Sequence, residues 1–445
     1  MTKCNVKNEV FQPCLFPSLK GRKIKVDFDG GNVSSDGGIL LVSQVDRKIK
    51  LLSRIASIMA GYDPRNQNKV THDIKSMLVQ RIYGIACGYE DLNDHHDLRH
   101  DIAWQTAAGK VDQLASVPTL CRFENSSVRD MSMELMDLMI DVFIDSFDHT
   151  PSEILLDFDN TDDAVHGNQE GKFFHGYYDK YCFLPLYVFS GQKLVTAFLQ
   201  PSNQDGAKHA GAVLKIITAR LRKKWPEVKI IYRGDSGFSR KRHLYWCEKN
   251  NVDYIVGLAK NNRLKTELAA SMIEAENEYK TTGEKAKVYT QFNYAAGSWH
   301  NRKRKVIGKA EFNNHGENPR FILTTLDGDP QELYEDVYCA RGDMENRIKE
   351  QQLGLFSDRT SAHKWWTNQL RVLLAGFAYI LFERMRNTAL KGTELAKAQV
   401  GTIRLKLLKI GAVISRNTRS IKFSLSSSYP YKFLFLRVAE AFAPG

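Results

Sequence analysis

The chain has 445 residues, 43% hydrophobic and 26% charged, a balance that excludes a disordered chain and predicts a soluble protein of two or three domains. Its longest plain apolar run, Val372 to Phe382, is fenced by Arg371 and Glu383 and is too short to span a bilayer. The first residues carry no apolar signal core, so no membrane partner and a cytoplasmic location are expected. A net charge of +12 with pI ≈ 9.2 favours a polyanionic partner, and seven scattered cysteines without a C-x-x-C pair argue against a disulfide framework or a structural zinc site.

Residues 1–150 read as mostly helical. Ser34-Ser35-Asp36-Gly37-Gly38 is a turn leading into Ile39-Leu40-Leu41-Val42. From Thr71 to Tyr89 apolar residues recur at helical spacing, at Ile74, Met77, Leu78, Ile82 and Ile85. His95-His96, between Asp94 and Asp97, has poor spacing for a single metal and reads as a polar loop. Pro118-Thr119-Leu120 introduces a helix start near Arg122-Phe123-Glu124, and Met131 to Phe147 is a further amphipathic stretch.

The pattern changes at Pro151. Strand-like runs appear at Ile154–Asp159, Tyr181–Phe189 and Val195–Leu199, followed by a helix at Lys208–Lys224. A strand at Lys229–Gly234, a helix at Arg240–Asn250 and a strand at Tyr254–Val256 come next. This order predicts an α/β unit with a mixed sheet over 151–265. Short alternating runs over 266–325, Val288–Tyr294 and Lys303–Phe312 among them, predict a β-rich insertion. Helices return over 326–390, and 391–445 forms a basic C-terminal region with Arg404, Lys406, Lys409, Arg416, Arg419 and Lys422, suited to DNA contact or dimerisation.

Three acids stand in telling places. Asp159 ends the apolar run that begins at Ile154, and Asp157, two residues earlier on a strand, faces the same side. Asp235 ends a second apolar run and precedes the turn Ser236-Gly237-Phe238. A carboxylate in such a run is costly unless paired or metal-bound, and strand carboxyl ends are where open α/β sheets place their sites. Glu345 lies in Tyr338-x-x-Arg341-x-x-x-Glu345, whose spacing puts all three side chains on one helical face. Two strand-end carboxylates and a helical one supply the hard oxygen ligands that a pair of Mg²⁺ ions requires, with Mn²⁺ as a substitute. Two metals about 3.5–4 Å apart promote in-line displacement at phosphorus. Arg341 can neutralise phosphate, and Tyr338 can stack on or hydrogen-bond the strand being cut.

These motifs resemble the bacterial insertion-sequence DDE transposases with a Y-R-E-K signature, most nearly the IS-thirteen-eighty group. The matching pieces are Asp157-Phe-Asp159-Asn-Thr161, His166-Gly167-Asn-Gln169, Tyr177-Tyr178, Leu184-Pro185-Leu186, Arg233-Gly234-Asp235-Ser-Gly237-Phe238 and the segment from Tyr338 to Glu350. Ser35-Asp-Gly-Gly38 and Gly88-Tyr89-Glu90-Asp91 match upstream. The resemblance implies an RNase H-like catalytic core with a β-rich insertion, preceded by a helical DNA-binding region over 1–150 that recognises terminal inverted repeats. Asp159, Asp235 and Glu345 are the implied catalytic and metal-binding residues, with Asp157, Thr161 and His166 close by. The final signature lysine falls at Gln352, leaving Lys349 as the candidate phosphate contact. The implied reaction is cut-and-paste excision and integration by a homodimer in a synaptic complex with double-stranded DNA, near the nucleoid. A hairpin intermediate rests on the resemblance alone.

In the insertion, Trp299 beside His300-Asn301-Arg302-Lys303-Arg304-Lys305 can stack an unpaired base while its neighbours grip the backbone; the plainer reading is a core tryptophan next to a solvated basic strand. Arg220, Arg222, Lys223, Lys224 and Arg240-Lys241-Arg242 are further candidate phosphate contacts, although each alone is more often a solvated face. Two rivals stand against the whole. One is a haloacid-dehalogenase-type phosphatase with Asp157 as nucleophile and Asp159 as acid, which lacks a second acid beside Asp235. The other is a catalytically silent DNA-binding protein.

Overall fold

The computed structural model describes residues 14–299 and 302–443. Its centre is one mixed sheet. The strands are β1 (Glu153–Asn160), β2 (Leu186–Ser190), β3 (Lys193–Phe198), β4 (Lys229–Gly234), β5 (Asp253–Leu258), β6 (Ala286–Tyr294), β7 (Arg304–Asn313) and β8 (Arg320–Thr324). They lie in the order β6-β7-β8-β5-β4-β1-β2-β3, and the short strand Gly316–Glu317 pairs with β7. Only β1–β4 and β4–β5 are parallel. The helices between those strands are α1 (Ala210–Lys224), from β3 to β4, and α2 (Lys241–Lys249), from β4 to β5. A parallel connection needs such a crossover.

Strand alternation divides the sheet into two faces. Ile154, Leu156 and Phe158 join Ile230, Tyr232, Tyr254 and Val256 in the core under α1. The opposite face carries Ile231 and Ile255, with Leu155 against them, and is covered by Leu333, Tyr334, Val337 and Tyr338. Along β1 and β4 that second face runs from apolar (Leu155, Ile231) to charged (Asp157, Arg233) to the strand-end acids Asp159 and Asp235. The elements of 266–325 continue the same sheet, and the helix Ala269–Thr282 packs on β6 and β7. Pro185 interrupts the run expected over Tyr181–Phe189, which splits into Lys180–Phe183 and β2.

A second core joins the helices before residue 150 to the far end of the chain. At its centre is the helix Trp365–Arg384, buried on every face from Val372 to Glu383, as its unbroken apolar run requires. The N-terminal part also contains strands, Cys14–Leu19, Arg22–Val26 and Val33–Ser34. The last of these pairs with Ala412–Arg416, which in turn pairs with Ile421–Leu425, so the expected basic tail includes a β-hairpin.

Two motifs lock this junction. Buried Asp36 accepts hydrogen bonds from the Tyr89 hydroxyl (2.8 Å), the Trp104 indole (3.0 Å) and Lys409 (2.8 Å). A Cβ at Gly38 would lie 1.9 Å from the Leu407 carbonyl oxygen, which is why the turn ends in glycine. Arg404 donates to the carbonyls of Ile85 and Ala86, and Arg416 to that of Val111. Arg404 and Lys409 are thus internal ties, whereas Arg416, although bonded to the Val111 carbonyl, is exposed, as are Arg419 and Lys422.

His95 is a core side chain and not part of a polar loop. It is fully buried against the edge of Trp104, and Arg81, which pairs with buried Glu124 at 2.6 Å, approaches its Nε2 at 3.3 Å. Burial, reinforced by Arg81, pushes its pKa down to about 3. The unfolded chain takes up a proton below its ordinary value near 6.5, whereas the folded chain resists until about pH 3. Stability contributed by neutral His95 is therefore present above that window and lost as pH falls through it, by about 4 kcal/mol at pH 3. Urea denaturation across this range should show a shallower acid limb for His95→Gln than for the natural chain; equal limbs would refute the assignment.

Candidate active site

The site forms where β1 and β4 end side by side. Their register sets Asp157 opposite Arg233 and Phe158 opposite Gly234, which brings Asp159 and Asp235 out at neighbouring strand ends. Asp235 caps the short turn after β4, accepting from the Gly237 amide at 2.8 Å. The third acid comes from α3 (Gly342–Lys349), which follows the segment packed over Leu155, Ile231 and Ile255.

Arg341 links the acids. Its guanidinium donates to Asp159 at 2.8 Å and to Glu345 at 3.1 Å. Asp159 is mostly buried, and its carboxyl is pushed up to about 6, chiefly by burial; Arg341 opposes this, and the negative charges of Asp235 and Glu345 add to it. Asp235 and Glu345 thus each lie within electrostatic reach of Asp159, and all three acids within reach of Arg341. Among the described residues, no three of His, Cys, Asp and Glu close tightly enough around one point to enclose an ion. Arg341 occupies the space between two of the acids.

Tyr338 is largely buried, with its ring 5.6 Å from that of Tyr334. A Cβ at Gly257 would fall 2.7 Å from both the Tyr338 hydroxyl oxygen and the Ser236 amide nitrogen, so a glycine on β5 permits the tyrosine to sit beside the Asp235 turn. Gln352, where the resemblance leads one to expect a lysine, makes contacts of its own. Its amide donates to the Asp162 carbonyl at 2.8 Å and lies 3.5 Å from the Thr161 hydroxyl, joining the Glu345 helix to the loop after Asp159. Lys349 and His166 are exposed.

Other candidates are placed elsewhere. Trp299 is 6% exposed, packed on Tyr294 with the Arg304 guanidinium 4.8 Å from its ring, so the stacking face expected for a base is covered. Arg304 is buried against Glu248 at 2.6 Å, and Arg302 pairs with the same carboxylate at 3.0 Å. His300 and Asn301 lie outside the described residues. Arg220 is held by Asp137 and Asp141, Arg222 by the Asn251 carbonyl and Arg240 by Asp205, whereas Lys223, Lys224, Lys241 and Arg242 remain exposed.

The residue that sequence reasoning missed is Arg233. Buried with Asp157, it donates to both carboxylate oxygens, its Nη2 at 2.7 Å, and also to the Val337 carbonyl. A signal was present: opposite charges stand two residues before each strand-end aspartate. With 2% exposure and both oxygens engaged, Asp157 offers no open face for the nucleophilic role of the phosphatase reading. Arg233→Ala leaves an unpaired buried carboxylate and should cost about 3–5 kcal/mol in urea denaturation. A loss within experimental error of zero would show that the pair is not holding these elements.

No curated protein matches the sequence. Among solved structures the chain is similar to a piggyBac transposase in a synaptic complex with hairpin DNA, at 12% identity and a TM-score of 0.43, covering 83% of this chain and 80% of that one. Among the described residues no helix is long and apolar enough to cross a membrane. The family model described as transposase DDE domain group 1 matches residues 16–444, nearly the whole length. The chain therefore belongs to the DDE transposase family, whose members are enzymes of DNA recombination.

Proposed function

We propose that this protein is a cut-and-paste insertion-sequence transposase of the Y-R-E-K type, with Asp159, Asp235 and Glu345 as its catalytic carboxylates. The observation that carries the reading is the convergence of these acids, from two strand ends and a helix, on the single cation Arg341. The strand order β3-β2-β1-β4-β5, two antiparallel steps followed by two parallel ones, supports an RNase H-like core.

Three carboxylates with one guanidinium leave an excess of negative charge, and all are hard oxygen donors, so the residues fit divalent cations. Bound Mg²⁺, or Mn²⁺ in its place, would supply Lewis acidity to the attacking and leaving oxygens of an in-line displacement. The chain's own side chains do the rest. Asp159 and Asp235 are held by their strands in one register, and Glu345 is carried on the helix that Gln352 ties to the Asp162 carbonyl. Arg341, once shared with phosphate, neutralises the charge of the scissile group. Lys349 and the exposed cations Lys223, Lys224, Lys241 and Arg242 provide sequence-independent backbone attraction.

In this reading water opens one phosphodiester and frees a 3′-hydroxyl. That hydroxyl attacks the opposite strand to form a hairpin, and a reopened 3′ end joins target DNA. Paired element ends call for a homodimer in the synaptic complex, and the DNA substrate for a nucleoid-associated cytoplasmic protein.

The test uses a plasmid carrying the element's own ends, with Mg²⁺. Asp159→Asn, Asp235→Asn and Glu345→Gln should each reduce strand cleavage about 100-fold or more while end binding persists. Cleavage that survives these changes would remove the three acids from the mechanism. Binding without any cleavage by the natural chain would favour the catalytically silent alternative.

A further inference from the structure

An aromatic ribbon lies beside the carboxylates and has no part in the account above. Strand Phe173–His175 pairs antiparallel with Lys180–Phe183, and the turn between them holds Tyr177 and Tyr178. Tyr177 is 85% exposed, and Phe174 and Tyr181, partners across the ribbon, are about half exposed. Aromatic area of this size left in water marks a surface that binds something.

What it binds is indicated by its neighbours. A cavity of about 180 Å³ is lined by His175, Tyr177, Tyr178, Asp205, Asp235 and Arg240. The Tyr177 and Tyr178 rings meet edge to face at 5.0 Å, and the His175 ring lies 5.0 Å from that of Tyr178. The His175 Nδ1 is buried without a hydrogen-bond partner. On the rim, Arg240 pairs with Asp205 at 2.6 Å. The space is far too small for a duplex, yet Asp235 is among the residues that line it. Exposed aromatic rings, an unused ring nitrogen and a rim cation are the groups that receive a base taken out of its stack.

We propose that this cavity receives one unpaired nucleobase of the DNA strand held at Asp235, stacked on Tyr177 and hydrogen-bonded through His175. The proposal rests on the transposase reading and deepens it. It moves base capture away from Trp299, whose faces are sealed in the core, to the Tyr177-Tyr178 turn.

The test is binding of the full chain to two duplexes of the same sequence, one fully paired and one with a single unpaired 2-aminopurine, with Ca²⁺ in place of Mg²⁺ to prevent cleavage. The natural chain should prefer the unpaired probe about ten-fold and quench its fluorescence. Tyr177→Ala should bring the ratio of the two affinities to about one, and Tyr177→Phe, which keeps the ring, should restore it. Because Tyr177 is so exposed, neither change threatens folding, which thermal melting verifies. Equal affinity of the natural chain for both probes, or an undiminished preference in Tyr177→Ala, would overturn the cavity proposal and leave the transposase reading intact. Failure to bind either duplex would overturn both.

Discussion

The buried ion pair between Asp157 and Arg233 is the constraint on which the site depends. It crosses the two central parallel strands one alternation before each strand-end aspartate. Arg233 also reaches the Val337 carbonyl, next to Tyr338, so one guanidinium fixes both strand ends and the segment leading to Glu345. Burying such a pair yields little net stability over well-packed apolar residues, but leaving either charge alone is costly. Its return is therefore geometric: a sheet that could tolerate slippage between apolar strands is pinned in the register that sets Asp159 beside Asp235.

Arg341 is the electrostatic counterpart of that pair. It lies between Asp159 and Glu345 and offsets carboxylates that would otherwise repel one another. On the proposed reading, a cation bound by these acids would compete with Arg341 for Asp159, and Arg341 would be released toward phosphate as metal and DNA bind. The helix α3, which Arg341 precedes and which carries Glu345, is secured at its far end. Buried Glu350 takes hydrogen bonds from Arg347, from Arg386 and from the Val400 amide, which ties the Glu345 helix to the helical core. Backbone turns widened to i→i+5 bonding flank α3 over Leu333–Tyr338 and Glu350–Gly354, an irregularity often found at functional sites.

Much of this was legible in the sequence, for local reasons. The runs at Ile154–Asp159 and Lys229–Gly234 have the length and near-continuous apolar content of buried strands, one ending in Asp159 and the other followed at once by Asp235. The spacing of Tyr338, Arg341 and Glu345 points to a helix, but not to the change of winding that places Tyr338 at the end of a widened turn, Arg341 in a tighter one and Glu345 in α3. What escaped depended on contacts distant in sequence. The strands after residue 286 read as an alternating insertion, but nothing local reveals that β8 pairs with β5 and extends the main sheet. The helix Ala269–Thr282 was hidden because its apolar residues make a weak stripe. The basic residues of the C-terminal region look like a solvated face, yet Arg404, Lys409 and Arg416 find their carbonyls and carboxylate more than 300 residues upstream. Trp299 beside a basic run likewise looks like a base-stacking residue until Tyr294 and Arg304 close over it.

The central claim is that Asp159, Asp235 and Glu345 form one cation site from which Arg341 is displaced. Anomalous diffraction from crystals of the chain grown with Mn²⁺ and an element-end duplex reads this directly. The account predicts two manganese peaks about 3.5–4 Å apart among the three carboxylates, with the Arg341 guanidinium moved off Asp159. Manganese bound elsewhere, or Arg341 still seated on Asp159 with no metal beside it, would contradict it.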